Sequence, residues 1–170
     1  RWTPDVPRLI PEVNPEHAEV IAAQRARLGT KRGFIAVKPN CSIQGYVGAL
    51  TPLRKYGIEK IAVTTYQAVS GAGRTLSDWE EMTDNIIPYI PGEEEKSERE
   101  PLRVWGEPDG EGLRIVPVDE PVISAQCLRV PVSDGHMAAV FVKFREKPTE
   151  EEIKTAWRDF TPLPERLSLP

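Results

Sequence analysis

An α+β fold built on a mixed, mostly antiparallel sheet is what this sequence predicts, and three observations lead there. Helical and strand signals are interleaved without a regular βαβ alternation. Strand signals dominate from Leu113 onward. Two of those late runs, 122–132 and 137–144, flank Ser133-Asp134-Gly135, a turn sequence, so they are expected to lie antiparallel as one long hairpin. No internal repeat is present.

The elements follow in chain order. Asn14-Pro15-Glu16-His17 opens a first helix: Asn14 can cap the free amides, Pro15 suits the first helical position, and Glu16 favours the positive end of the dipole. Gly29 ends it. Phe34-Ile35-Ala36-Val37 reads as a short strand broken at Pro39. A second helix begins near Ser42, carries Ile43, Tyr46, Val47, Leu50 and Leu53 on one face, and stops at Gly57. The β-branched run 58–69 predicts a strand, halted by Ser70-Gly71-Ala72-Gly73. Further helices are expected over about 76–86 and 93–103, the second kinked or ended by Pro101. Leu113-Arg114-Ile115-Val116 reads as a strand, and Thr149-Glu150-Glu151-Glu152 as a capping box opening a last helix through about Phe160.

With 170 residues, 39% of them hydrophobic, the chain can bury one sizeable core and is expected to form one domain. The formal charge of -4 and the absence of a basic block argue against nucleic acid or a membrane surface as partner. No apolar run approaches the length of a membrane span, and the first residues are not a secretory signal. Two cysteines, Cys41 and Cys127, do not make a disulfide scaffold, so a reducing cytoplasm is expected. The chain starts at Arg1 without Met and ends on Pro170, and it reads as a piece of something longer.

Cys41 sits in Asn40-Cys41-Ser42 at a helix start, where backbone amides and the dipole favour the thiolate and could stabilise an oxyanion. A buried structural cysteine is an equal reading, and for Cys127, in a strand-like run, it is the ordinary one. Only two histidines could serve a thiol. His17, among Glu16 and Glu19, reads as a solvated surface residue, whereas His136 follows a turn glycine and can point into a cleft. If Ser133 pairs with His136 across a two-residue turn, Arg129 lies on the same sheet face, roughly 13 Å from His136 at the backbone. Such a pair can bracket a small anion, although Arg129 reads equally as a surface ion-pair residue. Glu93 and Lys96 are one helical turn apart, the spacing of a solvated pair. The Ser70–Gly73 turn permits close backbone approach, but no G-x-G-x-x-G fingerprint occurs, and no metal site is indicated.

Read together, Leu9-Ile10-Pro11-Glu12-Val13-Asn14-Pro15-Glu16-His17, Lys38-Pro39-Asn40-Cys41-Ser42, Thr65-Tyr66-Gln67-Ala68-Val69-Ser70-Gly71-Ala72-Gly73, Asp84-Asn85-Ile86-Ile87-Pro88-Tyr89-Ile90, Glu93-Glu94-Glu95-Lys96-Ser97-Glu98 and Arg129-Val130-Pro131-Val132-Ser133-Asp134-Gly135-His136 resemble the archaeal-like branch of the aspartate-semialdehyde dehydrogenases, which also occurs in bacteria and fungi. The resemblance implies a fold with helices packed on one face of the sheet, like the catalytic domain of glyceraldehyde-3-phosphate dehydrogenase-type enzymes. It also implies NADPH-dependent reductive dephosphorylation of L-aspartyl 4-phosphate to L-aspartate 4-semialdehyde, towards lysine, methionine, threonine and isoleucine. Cys41 would be the nucleophile, His136 the acid/base and Gln67 the residue orienting the acyl group. Arg129 would hold the substrate carboxylate, Glu93 (uncertain by one position within Glu93–Glu95) its amino group, and Asn40 with Lys96 the phosphate. Ser70, Gly71, Ala72 and Gly73 would lie against the nicotinamide of NADP.

Family members also carry an amino-terminal Rossmann domain that binds most of the NADP, and a returning carboxy-terminal helix; neither lies in residues 1–170. The chain is therefore expected to be the catalytic and dimerisation part, to form a homodimer or homotetramer through its sheet, and to be inactive alone. Two alternatives stand beside this: a malonyl-CoA reductase of the same lineage, which has no use for an amino-group contact at Glu93, and a non-catalytic dimerisation scaffold.

Overall fold

The computed structural model describes residues 3–169. Its centre is a three-stranded mixed sheet. The strand β1 (Ile58–Gln67) lies in the middle, with β4 (Val122–Arg129) parallel to it on one side and β5 (His136–Phe144) antiparallel on the other. The late runs are thus opposed in direction, as the turn sequence predicts, but they are not a hairpin. β1 is inserted between them, and the Ser133–His136 pairing is replaced by a rung on which Gln67 is the partner of both Arg129 and His136. Backbone bonds from Val69 N to Val132 O and from Ser70 N to Ser133 O lead 130–133 across the end of β1, which separates the two strands. The short pair β2 (Glu107–Pro108) and β3 (Ile115–Val116) forms a second, antiparallel ladder, so only the last two residues of the expected 113–116 strand are paired.

Alternation along the strands gives the sheet two unlike faces. Ile61, Val63, Thr65 and Gln67 of β1 are buried, and their rung partners Ile123, Cys127 and Arg129 on β4 are buried with them. This face receives α2 (Cys41–Leu50) and α3 (Glu93–Val104). Ile43, Tyr46, Val47 and Leu50 of α2 join Leu53, Ile61, Val63, Val104 and Trp105 in the core. Polarity rises towards the carboxy end of β1, from Ile61 through Thr65 to Gln67, and that polar end is where Cys41, at the first turn of α2, arrives. The opposite face leaves Val122, Met137 and Phe141 exposed.

The acidic start of α3 is divided by function of its faces. Glu94 Oε1 accepts from Cys127 N and Glu98 Oε1 from Ala125 N, so two carboxylates one turn apart satisfy the outer edge of β4. Ile87 exchanges two backbone bonds with Arg129 and completes that edge. Glu95 pairs with Arg99 in solvent. Pro101 neither ends nor breaks α3, which continues to Val104.

Several local expectations give way. Pro15–Val20 is a 3-10 turn leading into α1 (Ile21–Leu28), and Asn14 does not cap it. Instead Asn14 accepts from Ile10 N and donates to Arg8 O and Val104 O, a buried tie between distant segments. His17 is fully buried rather than solvated, with Nε2 2.8 Å from Gly106 O and Nδ1 3.0 Å from Asn14 Nδ2. Residues 34–37 form a single bridge, Val37 to Arg8, not a strand. The expected helix over 76–86 reduces to a 3-10 turn at Glu80–Met82, because Asp78 and Asn85 turn back onto Thr75 N and Ile86 N and compete with helical bonding. Gly29 ends α1 in the left-handed region, but the second expected helix is α-helical only to Leu50 and runs on as a 3-10 segment, Thr51–Tyr56, which Gly57 ends; Thr149 with Glu152 forms the capping box of α4 (Glu150–Arg158). A last short helix, α5, covers Leu163–Arg166.

Candidate active site

Asn40 is the N-cap of α2: its Oδ1 accepts from Ser42 N at 2.9 Å and from Ser42 Oγ at 2.6 Å. Cys41 is therefore the first helical residue, with its side chain exposed, beside the positive end of the dipole. Because Ser42 N–H is committed to the cap, it is not among the amides open to an oxyanion, which narrows what the sequence suggests there. Cys127 is fully buried on the sheet, 3.5 Å from Ser97 Oγ.

Cys41 Sγ lies 3.2 Å from His136 Nε2. His136 opens β5, and its Nδ1 lies 3.1 Å from Ala68 N and 3.0 Å from Gly135 O. Those two neighbours suit opposite tautomers. Donation to Gly135 O leaves Nε2 bare to take the thiol proton, whereas acceptance from Ala68 N leaves Nε2–H facing sulfur. Arg129 reaches the same residue through its carbonyl, donating from Nη1 to Ala68 O at 2.7 Å. It is buried, not a surface ion-pair residue, and burial draws its guanidinium below the ordinary value while the charges of Glu93 and Cys41 oppose that. Sharing Gln67 as rung partner places Arg129 and His136 two strand spacings apart, about 10 Å, closer than a hairpin would set them.

Glu93 closes the site from α3. Its Oε2 accepts from Asn40 Nδ2 at 2.7 Å and from Gln67 Nε2 at 3.4 Å, and its Oε1 is ion-paired with Lys96. Burial raises the Glu93 carboxyl, but the hydrogen bonds from Lys96, Asn40 and Gln67 outweigh it and hold the group below the usual carboxylate range. Of the three consecutive glutamates, Glu93 is the one that faces the site.

The turn after β1, Val69–Ala72, lies against this group. A Cβ on Gly71 would come within 2.8 Å of Arg129 Nη1 and 3.0 Å of His136 Cε1, so a larger residue there would have to push those side chains aside. Ser70, Gly71, Ala72 and Gly73 are all exposed and present backbone and small side chains beside His136. Beyond Cys41 the site opens into a cleft of about 690 Å³ between α2, β5 and α4, walled by apolar residues such as Leu53, Val140, Phe144 and Trp157.

The model of the semialdehyde dehydrogenase dimerisation domain matches residues 50–167. The chain belongs to that family. Aspartate-semialdehyde dehydrogenases from Archaeoglobus fulgidus and Methanothermobacter thermautotrophicus are 42% and 44% identical to it, over 96% and 99% of this chain and 46% and 48% of theirs. That from Aspergillus fumigatus is 38% identical over the whole chain and 48% of its own length. The crystal structure of aspartate semialdehyde dehydrogenase with NADP from Candida albicans superposes with a TM-score of 0.81 at 38% identity, over 97% of this chain and 48% of that one. Aspartate semialdehyde dehydrogenase II from Vibrio cholerae, complexed with ASA, gives 0.68 at 30% identity, over 92% and 49%. The chain thus spans about half the length of the curated relatives it matches, and it shares the α+β fold of their solved structures.

Within this dimerisation-domain chain, the structure brings together Cys41, His136, Gln67, Arg129, Glu93, Lys96, Asn40 and the Ser70–Gly73 turn, and leaves His17 and Cys127 outside the group. Two others escape sequence reasoning. Ala68 links His136 to Arg129 through its backbone N–H and C=O, and Glu100 accepts from Asn40 N at 2.8 Å while pairing with Arg8. The seven-residue spacing of Glu93 and Glu100 on one helical face was the available signal for the second. Among the described residues no group of three or more His, Cys, Asp or Glu is placed to hold a metal, and no helix is long and apolar enough to cross a membrane.

Proposed function

We propose that this chain is the catalytic half of an aspartate-semialdehyde dehydrogenase whose full-length form converts L-aspartyl 4-phosphate and NADPH to L-aspartate 4-semialdehyde, phosphate and NADP, in the cytoplasm. The observation that supports it best is the contact of 3.2 Å between Cys41 Sγ and His136 Nε2, with buried Arg129 on the rung of His136.

In this reading His136 Nε2 takes the thiol proton and the sulfur attacks the acyl carbonyl. The C–S bond forms, the bond from that carbon to the phosphate oxygen breaks, and phosphate leaves a thioester on Cys41. The Arg129 guanidinium, already fixed by Ala68, has further donors for the substrate carboxylate. The substrate ammonium binds Glu93 and displaces Lys96 from it, which frees Lys96, with the Asn40 amide, to meet the phosphate. Gln67, between Arg129 and His136 on their rung, orients the acyl group. The Ser70–Gly73 turn would hold the nicotinamide of NADPH, which when bound would supply hydride to the acyl carbon. As the C–S bond breaks and the aldehyde carbonyl forms, His136 returns its proton to the departing Cys41 sulfur. Most of the nucleotide would be held outside residues 1–170, so the 170-residue chain alone is not expected to turn over, and the exposed face around Val122, Met137 and Phe141 would be the surface on which two copies meet.

The test is to assay the full-length protein with L-aspartate 4-semialdehyde and NADP, with and without phosphate, and in parallel with malonyl-CoA. Phosphate-dependent oxidation of the semialdehyde is the expected result. Oxidation that ignores phosphate, or faster reduction of malonyl-CoA, would reject this reading in favour of the related reductase, and no activity on either would favour a scaffold.

A further inference from the structure

Asn40, the residue before the nucleophile, is held at two points by one helix. Its side chain donates to Glu93 Oε2 at 2.7 Å, and its backbone N–H donates to Glu100 Oε2 at 2.8 Å. Glu93 and Glu100 are seven residues apart on α3, two turns along one face. Glu100 is 1% exposed, and its other oxygen is ion-paired at 2.7 Å with Arg8 Nη1, itself 2% exposed. A buried carboxylate with this pairing is expensive to maintain against hydrophobic packing of the same volume, so its presence asks for a reason other than stability. Arg8 also anchors the amino-terminal segment, through its backbone bridge to Val37, three residues before Asn40.

We propose that Glu100, backed by Arg8, is a positioning residue for Cys41. It fixes the peptide at which the chain enters α2, while Glu93 fixes the Asn40 side chain whose Oδ1 forms the N-cap. Together they set the direction in which the first residue of the helix presents its sulfur to His136. The chemistry explains why the position needs a carboxylate. Asn40 N–H meets one carboxylate oxygen of Glu100 and the Arg8 guanidinium meets the other, so both oxygens act as acceptors. Glutamine has one acceptor oxygen and an NH2 group, so at this position it would turn a donor towards one of the two donors and lose either the Asn40 tether or the Arg8 pair. A misplacement of the sulfur of the order of 1 Å is enough to cost about a hundredfold in rate.

The inference rests on Cys41 as the nucleophile, and the experiment separates the two claims. In the full-length protein, the rate of Cys41 alkylation by iodoacetamide is followed across pH beside steady-state kcat and KM, for the native protein, Glu100→Gln, Glu100→Asp and the pair Arg8→Gln with Glu100→Gln. Glu100→Gln is expected to lower kcat by about tenfold or more, beyond any rise in KM that comes through the Asn40 contact with phosphate, and to slow alkylation of Cys41 at every pH. The double variant, in which the amide introduced at position 100 can accept from Asn40 N–H and donate to the amide introduced at position 8, is expected to recover part of both rates. A purely structural role would lower the active fraction and the melting temperature but leave the alkylation rate per folded molecule unchanged, and that result would overturn the proposal. Should Glu100→Gln fail to fold, Glu100→Asp, which keeps both acceptors on a shorter arm, carries the same comparison, and native kcat and alkylation there would overturn it equally. Native Cys41 reacting no faster than Cys127 would instead remove the nucleophile on which the inference depends.

Discussion

Cys41 Sγ and His136 Nε2 meet at 3.2 Å although 95 positions separate them in the chain. Three constraints bring them there: Asn40 starts α2 one residue before the sulfur, α2 packs across β5, and β5 begins at His136 beside Gln67. A thiol and an imidazole at this distance can exchange a proton without any further movement of the backbone.

Replacing His136 with Asn should leave the fold intact, since the ring is only partly buried at the strand end, and should remove the proton acceptor. A fall in kcat of about 10²–10⁴ is expected. Steady-state kinetics of the full-length variant check this, and a native kcat would count against His136 as the base.

Gly71→Ala tests the close cover of the turn over Arg129 and His136. The added methyl meets Arg129 Nη1 at 2.8 Å and His136 Cε1 at 3.0 Å, and both side chains are part of the site. Activity is expected to fall by about tenfold. The melting temperature should stay near native, because the position is exposed and its φ is not in the left-handed region. Comparing kcat with the melting curve distinguishes a displaced imidazole from general destabilisation.

Much of this site is legible in the sequence for a simple reason. Residues that carry chemistry sit at element ends, and element ends are marked by strong local signals: Asn40 before α2, Gln67 before the Ser70–Gly73 turn, His136 after Gly135. Their order along the chain therefore survives an error in topology. The hairpin expectation failed because a turn sequence between two runs does not reveal that a third strand, β1, lies between them, and pairing across a sheet is decided by which faces bury most apolar surface. Glu100 and His17 were missed or misread for another reason. Burial of a charged or titratable group depends on partners far away in sequence, Arg8 for one and Gly106 for the other. The helix expected over 76–86 had suitable residues, but Asp78 and Asn85 bond the backbone locally and hold it in turns.

His17 makes stability depend on pH in a stated direction. Burial draws its imidazole below the ordinary value of 6.5, against the opposing pull of Gly106 O. Above 6.5 the ring is neutral in both folded and unfolded chains, and its contribution is fully present. As pH falls below 6.5 the unfolded chain takes up the proton first, so stability declines until the lowered folded value is passed. Denaturant midpoints measured down this range should fall, and His17→Gln should flatten that slope even if it lowers stability near neutrality. Identical slopes in the two proteins would show that His17 is not the group responsible.

The most direct measurement is to trap the acyl group. Full-length protein is mixed with L-aspartate 4-semialdehyde and NADP in the absence of phosphate, quenched in acid, digested and mapped by mass spectrometry. A thioester-linked aspartyl adduct on the Cys41 peptide is expected, with none on the Cys127 peptide and none in Cys41→Ala. An adduct elsewhere, or turnover retained in Cys41→Ala, would contradict the assignment of Cys41 as the nucleophile.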